Sequence, residues 1–186
     1  HVYPVKAAIM VPYRSDNGRR DRTWEFVRKH WEPTGWPIHV GIHDDGRFNA
    51  AAARNMAARL AGDWEVAVFV DADTVMLDHE PVRKAVKLAA TSGQMVRPYN
   101  RYWMTDEAGS DAMMATGQRP TSGRPLRGAD AHGGVNVVPR KLWDEVGGYD
   151  ERFRGWGSED TSFELACRML GGFHQFPGDV FHLWHA

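Results

Sequence analysis

The chain of 186 residues has a single cysteine, Cys167, so no internal disulfide framework can form. That cysteine falls in Phe163-Glu164-Leu165-Ala166-Cys167-Arg168-Met169-Leu170, a helix-like stretch in which a buried structural thiol is expected. No apolar run approaches the ~18 residues that a membrane-spanning helix needs. With no leader-like start either, a cytoplasmic location is the expectation. Charge of one sign is also missing. The formal net charge is -1, which excludes a chain-wide attraction to nucleic acid or anionic lipid. Lysine is scarce, 5 against 18 arginines, and the arginines are spread along the chain, which reads as the bias of a GC-rich genome rather than a phosphate-binding patch. Internal repeats are absent. The length suits one well-cored α/β domain spanning 1–186 and is short for two.

What is present is a strand–helix alternation. Residues 5–11 read as a strand stopped by Pro12, and Thr23 to Trp31 as a helix with Trp24, Val27 and Trp31 on one face. Residues 38–42 form a second expected strand, 49–61 an Ala-rich helix, 66–70 a buried strand and 81–90 a helix with Pro81 in its first turn. This order implies a mostly parallel central sheet flanked by helices, with ligands gathering at the carboxyl ends of the strands. The second half is less regular. Residues 95–97 begin a strand, 100–131 show no periodicity and read as a functional loop or lid, and 135–138 and 140–146 give a strand and a short helix. A helix over 158–170 with Ser158 as its N-cap follows, then an extended segment at 180–185.

The chemistry concentrates in four places. Asp71-Ala72-Asp73 closes the strand Val66-Ala67-Val68-Phe69-Val70, and two carboxylates two residues apart on extended backbone share one side. One can bind a divalent metal while the other reaches a ribose hydroxyl or a metal-bound water. His182 and His185, beside Trp184, are candidate ligands for the same cation. A mixed imidazole–carboxylate shell suits Mn²⁺ better than Mg²⁺, with Mg²⁺ a substitute and zinc the rival. Glu159 and Asp160 follow the turn Gly155-Trp156-Gly157; helix capping is the ordinary reading and a general base the sharper one. Trp156 offers a flat face to a sugar or a base. Arg14 and Arg54 are candidate diphosphate contacts, with a solvated face the ordinary alternative. Asp44 and Asp45 are candidates for a nucleobase or ribose, or simply shape a turn with Gly46.

Taken together, Val11-Pro12-Tyr13-Arg14, Phe48-Asn49-Ala50, Asp71-Ala72-Asp73, Gly133-Gly134-Val135, Gly155-Trp156-Gly157-Ser158-Glu159-Asp160 and His182-Leu183-Trp184-His185 resemble, in order and over nearly the whole chain, the β-1,4-galactosyltransferase family of GT-A glycosyltransferases. Asp44-Asp45-Gly46 and Ala53-Arg54-Asn55 are similar to family-2 glycosyltransferases. The resemblance implies a single GT-A (Rossmann-like) domain, about 1–95 binding the nucleotide and about 96–186 serving acceptor and catalysis. It implies that Pro12, Tyr13 and Arg14 cradle the nucleotide of a UDP-sugar, with Asp44 or Asp45 near the uracil and Asp71 on the ribose. Asp73, His182 and His185 would hold Mn²⁺. Gly133 and Gly134 would admit the donor sugar, Trp156 and Glu159 would engage the acceptor, and Asp160 would act as base in an inverting displacement. The family usually carries further arginines where this chain has Asp16 and Ala50, a third acid where it has Thr161, and often Met where it has His182. These departures leave the sugar open and favour a bacterial or phage-type enzyme with its own acceptor.

Two other readings stay open from the sequence: a retaining transferase on the same fold, and a non-catalytic nucleotide-sugar or glycan-binding module. The acceptor is a glycan or another hydroxyl compound. Arg97, Arg101, Arg119, Arg124 and Arg127, interleaved with Tyr99, Tyr102 and Trp103, leave a modified DNA base as a minor alternative to a mobile acceptor lid.

Overall fold

The computed structural model describes residues 4–126, 131–155 and 157–186. Its elements run β1 (Ala7–Tyr13), α1 (Arg19–Trp31), β2 (Ile38–Ile42), α2 (Ala50–Ala61), β3 (Val66–Val70), β4 (Thr74–Val75), α3 (Glu80–Ser92), β5 (Met95–Arg97), β6 (Arg101–Met104), α4 (Glu107–Thr116), β7 (Arg124–Leu126), β8 (Val135–Pro139), α5 (Arg140–Val146), α6 (Ser158–Leu170), β9 (Phe173–Gln175) and β10 (Asp179–His182). Six strands form one sheet in the order β2-β1-β3-β8-β5-β9, in which β8 alone runs against the others. The mostly parallel sheet expected from the strand–helix alternation is therefore observed.

The period-two alternation of β1 and β3 fills two separate layers. Ile9, Val11, Val66, Val68 and Val70 pack with Trp24, Val27 and Trp31 of α1 and with Val82, Val86 and Ala89 of α3. Met10, Ala67 and Phe69 face the opposite way, onto Ala51, Ala57 and Ala58 of α2, Leu142 of α5 and Phe163 and Cys167 of α6. Cys167 is buried as expected, and burial pushes its thiol up to about 12. The alanines of α2 have a steric reason. At Gly41 of β2 a Cβ would stand 1.7 Å from the Ala53 carbonyl oxygen, so helix and strand touch backbone to backbone.

Several expectations fail locally. β1 runs through Pro12 to Tyr13 instead of stopping at the proline. Its pairing with β3 covers only Ala7 to Met10, so at Pro12 no ladder bond to β3 is lost. α1 starts four residues before Thr23. The stretch 100–131 contains β6, α4 and β7, and its two strands join β4 and β10 in a second sheet, β4-β10-β6-β7. Asp106 caps α4 by accepting from the Gly109 N–H at 2.7 Å, a local signal that the irregular pattern hid. The N-cap of α6 is Gly157, at φ +95°, not Ser158.

Topology gathers the chemistry at one edge. β1 and β3 deliver their carboxyl ends there. Because β8 is antiparallel, with Val135 opposite Val70, its leading residues Gly133 and Gly134 arrive at the same edge. β10 pairs with β4 so that His182 stands opposite Thr74, which brings the C-terminal segment beside Asp73.

Candidate active site

A cleft of about 550 Å³ opens at this edge, walled by residues of β1, the start of α1, the loop before α2, the turn after β3, β6, the lead-in to β8, the start of α6 and the C-terminal segment. Of the residues expected from the sequence, Pro12, Tyr13, Arg14, Arg54, Asp71, Asp73, Gly133, Glu159, Asp160, His182 and His185 all line it. Gly134, just behind Gly133, donates its N–H to Asp71 Oδ2 at 3.0 Å and accepts from the Asp71 N–H at 2.9 Å. Asp44 and Asp45 are exposed on their turn and are not part of the lining. Trp156 and Arg127 lie outside the described residues.

At one end, Asp73 Oδ2 stands 3.3 Å from His182 Nε2 and 3.2 Å from His185 Nε2. The Leu183 N–H donates to the Asp73 carbonyl at 2.8 Å and locks this register. The three side chains are the one His/Cys/Asp/Glu group among the described residues whose donor atoms converge as for a metal ion. Burial alone would raise the Asp73 carboxyl, but the two imidazoles more than offset it and hold the carboxyl far below the usual range. Burial would lower His182, and Asp73 reverses that, so its net shift is upward. His182 Nδ1 is buried without a hydrogen-bond partner among the described residues. A cation with N and O ligands fits this donor set, because donors sharing one such ion at near right angles stand ~3 Å apart.

At the other end is a buried cluster around Arg54, which is only 4% exposed, so the solvated alternative does not hold for it. Its Nη2 donates to Asp71 Oδ1 at 2.8 Å, and its Nη1 lies 3.2 Å from both Glu159 Oε1 and Asp160 Oδ1. The guanidinium also covers the Tyr149 ring at 5.0 Å. One cation thus faces three carboxylates. Desolvation of Asp160, together with Asp71 and Glu159 and against the pull of Arg54 and Arg97, pushes its carboxyl up to about 7. Glu159 and Asp160 both lie in the first turn of α6, where negative charge is favoured, although neither is its N-cap. Gly133 has no room for a side chain: a Cβ there would stand 2.9 Å from Asp160 Oδ2 and 3.4 Å from Asp71 Oδ2. The two aspartates share the space that a side chain would take.

The nucleotide side is less completely tied. Arg14 Nη1 donates to the Gly46 carbonyl at 2.5 Å, joining the end of β1 to the Asp44-Asp45-Gly46 turn. The Tyr13 hydroxyl donates to Asp21, and burial together with that carboxylate raises its pKa. The sequence reading missed Arg20, Thr23, Arg47, Met104 and His132 and gave Phe48 and Tyr102 no place in the site, yet all of them line the cleft. Arg20 reaches His185 Nδ1 at 3.4 Å, and Thr23 buries a hydroxyl with no hydrogen-bond partner among the described residues. Arg47 and Phe48 adjoin Asn49, whose side chain caps α2 from the Ala52 N–H at 2.9 Å; that cap was the available signal for them.

Among the described residues, the arginines of the arginine-and-aromatic stretch do not line the cleft. Arg97 is buried against Glu164. Arg101 and Arg119 both pair with Asp179, and along β6 Arg101 and Trp103 alternate with Tyr102 and Met104, the two β6 residues that line the cleft.

A family model described as glycosyl transferase family 2 matches residues 15–144. The chain belongs to that family. A second model, described as the N-terminal domain of galactosyltransferase, matches residues 118–172 of this family-2 chain. A β-1,4-galactosyltransferase 4 from Cricetulus griseus is 23% identical over 175 residues, covering 88% of this chain and 43% of the relative. The chain therefore spans less than half the length of that curated relative. The catalytic domain of Drosophila β-1,4-galactosyltransferase 7 superposes with a TM-score of 0.61 at 18% identity, over 94% of this chain and 65% of that one. A point mutant of that enzyme has been solved with manganese, UDP-Gal and xylobiose. A mannosyltransferase from Pyrobaculum calidifontis, solved with GDP-Man and Mn²⁺, gives 0.57 at 17% identity, over 97% and 57%. The fold is the GT-A fold that the sequence resemblance implied. No helix among the described residues is long and apolar enough to cross a membrane. The curated relative is mammalian and lends no support to a bacterial or phage source.

Proposed function

We propose that this family-2 chain transfers a sugar from a UDP-sugar to an acceptor hydroxyl with inversion, with Asp160 as the general base. The observation that carries this is the placement of Asp160: a cleft-lining carboxylate raised to about 7, joined through Arg54 to Asp71, with the converging Asp73, His182 and His185 in the same cleft. A base poised near neutral pH combines the right protonation state with useful basicity. A binding module would gain nothing from three carboxylates crowded on one arginine.

Asp73, His182 and His185 would hold Mn²⁺, which as a Lewis acid neutralises the charge of the departing diphosphate. The remaining work falls to the chain. Pro12, Tyr13 and Arg14 would seat the nucleotide, with Asp44 or Asp45 brought in from their turn to meet the base. Asp71, already oriented by Arg54 and Gly134, would accept from a ribose hydroxyl. Gly133, bare of a side chain beside Asp71 and Asp160, would let its backbone approach the donor sugar, and Glu159 and Trp156 would border the acceptor. The acceptor oxygen attacks the anomeric carbon as the bond to the diphosphate oxygen breaks. The hydroxyl proton goes to Asp160 and UDP carries away the electron pair. In this reading Arg54 is a positioning residue that fixes Asp71, Glu159 and Asp160, rather than a direct diphosphate contact.

The test is a screen of UDP-glucose, UDP-galactose and their N-acetyl forms with Mn²⁺, reading UDP release with and without glycan acceptors, followed by NMR of the product. An inverted anomeric configuration is expected. A retained configuration would sink the base assignment, and UDP binding without any turnover would point to a binding module. DNA with hydroxylated bases belongs among the acceptors screened, and salt-sensitive binding would bring it forward.

A further inference from the structure

We propose that His132 is a further substrate-binding residue, whose Nε2 hydrogen-bonds a sugar hydroxyl beside Asp160 and so helps to select the substrate. The proposal rests on the glycosyltransferase reading above. His132 lines the cleft immediately before Gly133, the residue pressed against Asp160 and Asp71. Its Nδ1 lies 2.8 Å from Glu164 Oε2.

Glu164 is almost fully buried. Desolvation alone would raise its carboxyl, yet Arg97 at 2.5 Å, His132, and Arg168 at 2.9 Å hold it below the usual range. An ionised carboxylate only accepts, so the His132 Nδ1 must carry a hydrogen, and in the neutral tautomer this leaves the lone pair on Nε2. Among the described residues nothing hydrogen-bonds to that nitrogen. The imidazole is 32% exposed against 5% for Glu164, so the ring edge away from the carboxylate is the part that meets the cleft.

The backbone beneath the ring is held as firmly as the ring itself. The His132 carbonyl accepts from Arg97 Nη2 at 2.9 Å and from Asn136 Nδ2 at 2.8 Å, and the Gly133 carbonyl accepts from the Tyr99 hydroxyl. A loop needing only a peg would be served by these bonds alone. What they add is an imidazole fixed in tautomer and direction, which is the preorganisation a hydroxyl-reading site requires. The ligand chemistry is a carbohydrate hydroxyl, from either the donor sugar or the acceptor.

The experiment uses the donor and acceptor found in the screen, together with their monodeoxy analogues, on wild type, His132→Ala and His132→Gln. Wild type should discriminate against one deoxy analogue, and His132→Ala should lose about 10- to 100-fold of that discrimination in kcat/KM, the scale of one unmade hydroxyl contact. Glutamine, whose amide oxygen also accepts, should recover part of it. Loss confined to the donor series or to the acceptor series identifies the source of the hydroxyl. Mn²⁺-dependent UDP binding and thermal melting show that the variants are folded. Unchanged selectivity toward every deoxy analogue in both folded variants overturns the role of His132 and leaves the transferase reading standing. A wild-type protein that turns over no UDP-sugar overturns both.

Discussion

Two buried ion clusters touch successive turns of α6, and they are built with opposite surpluses. Around Arg54, one cation faces Asp71, Glu159 and Asp160. One turn along the helix, Glu164 alone faces Arg97, Arg168 and His132. Both acids lie on the same helix, both lose solvation, and their pKa values move in opposite directions: Asp160 rises to about 7 while Glu164 falls. The number of neighbouring charges decides, not the residue type. A carboxylate short of cations can still take a proton, whereas a carboxylate with a surplus is committed as an anchor.

The sharpest way to break this comparison is to neutralise the poised acid. Asp160→Asn should lower kcat by about 10²- to 10⁴-fold, the usual share of general-base catalysis, with Mn²⁺-dependent UDP binding retained by calorimetry. Full activity in that variant would remove Asp160 from the mechanism. Next comes the shared cation. Arg54→Met strips three carboxylates, Glu159 buried and Asp71 and Asp160 partly so, of their common partner and should cost about 3–5 kcal/mol in urea unfolding, the scale of a buried pair with one member deleted. It should also move the pH midpoint of any residual transfer upward, since Arg54 opposes the rise of Asp160. Asp73→Ala should weaken Mn²⁺ binding by at least about 10- to 100-fold, already the scale for losing an outer partner of a ligand. If Mn²⁺ affinity survives that change, the trio is not the metal site.

The same contrast explains what was legible in the sequence. Strands with alternating buried residues declared themselves, and so did the convergence of Asp73, His182 and His185, because Asp73 follows a strand and the two histidines sit close together near the end of the chain. Arg54 on an Ala-rich helix looked like any solvated arginine, since nothing local says that its partners lie 17, 105 and 106 positions away. His132 was passed over for the same reason: its meaning comes from Glu164 across the fold. The region 100–131 hid β6, α4 and β7, because strands of three or four residues are too short to show a period and α4 carries glycine, methionine and few strong apolar markers.

The smallest expected effect is also the most direct reading of the charge surplus. Asp160 has a folded pKa of about 7 against 3.8 for the ordinary group, so between those values the folded chain holds a proton that the unfolded chain has released. The stability this group contributes is fully present below about 3.8 and is lost as pH rises through about 7. Asn at 160 carries no such proton. In the presence of EDTA, the urea midpoint of Asp160→Asn relative to wild type should therefore climb between pH 5 and pH 8, while the opposing acid-side contributions of Asp73 and Glu164 are common to both proteins and cancel in the difference. The rate of transfer should follow the complementary curve, rising through about pH 7 as Asp160 becomes able to accept a proton and levelling above it. Parallel stability curves for the two proteins would mean that Arg54 balances its three carboxylates after all, and the contrast between the two clusters would collapse.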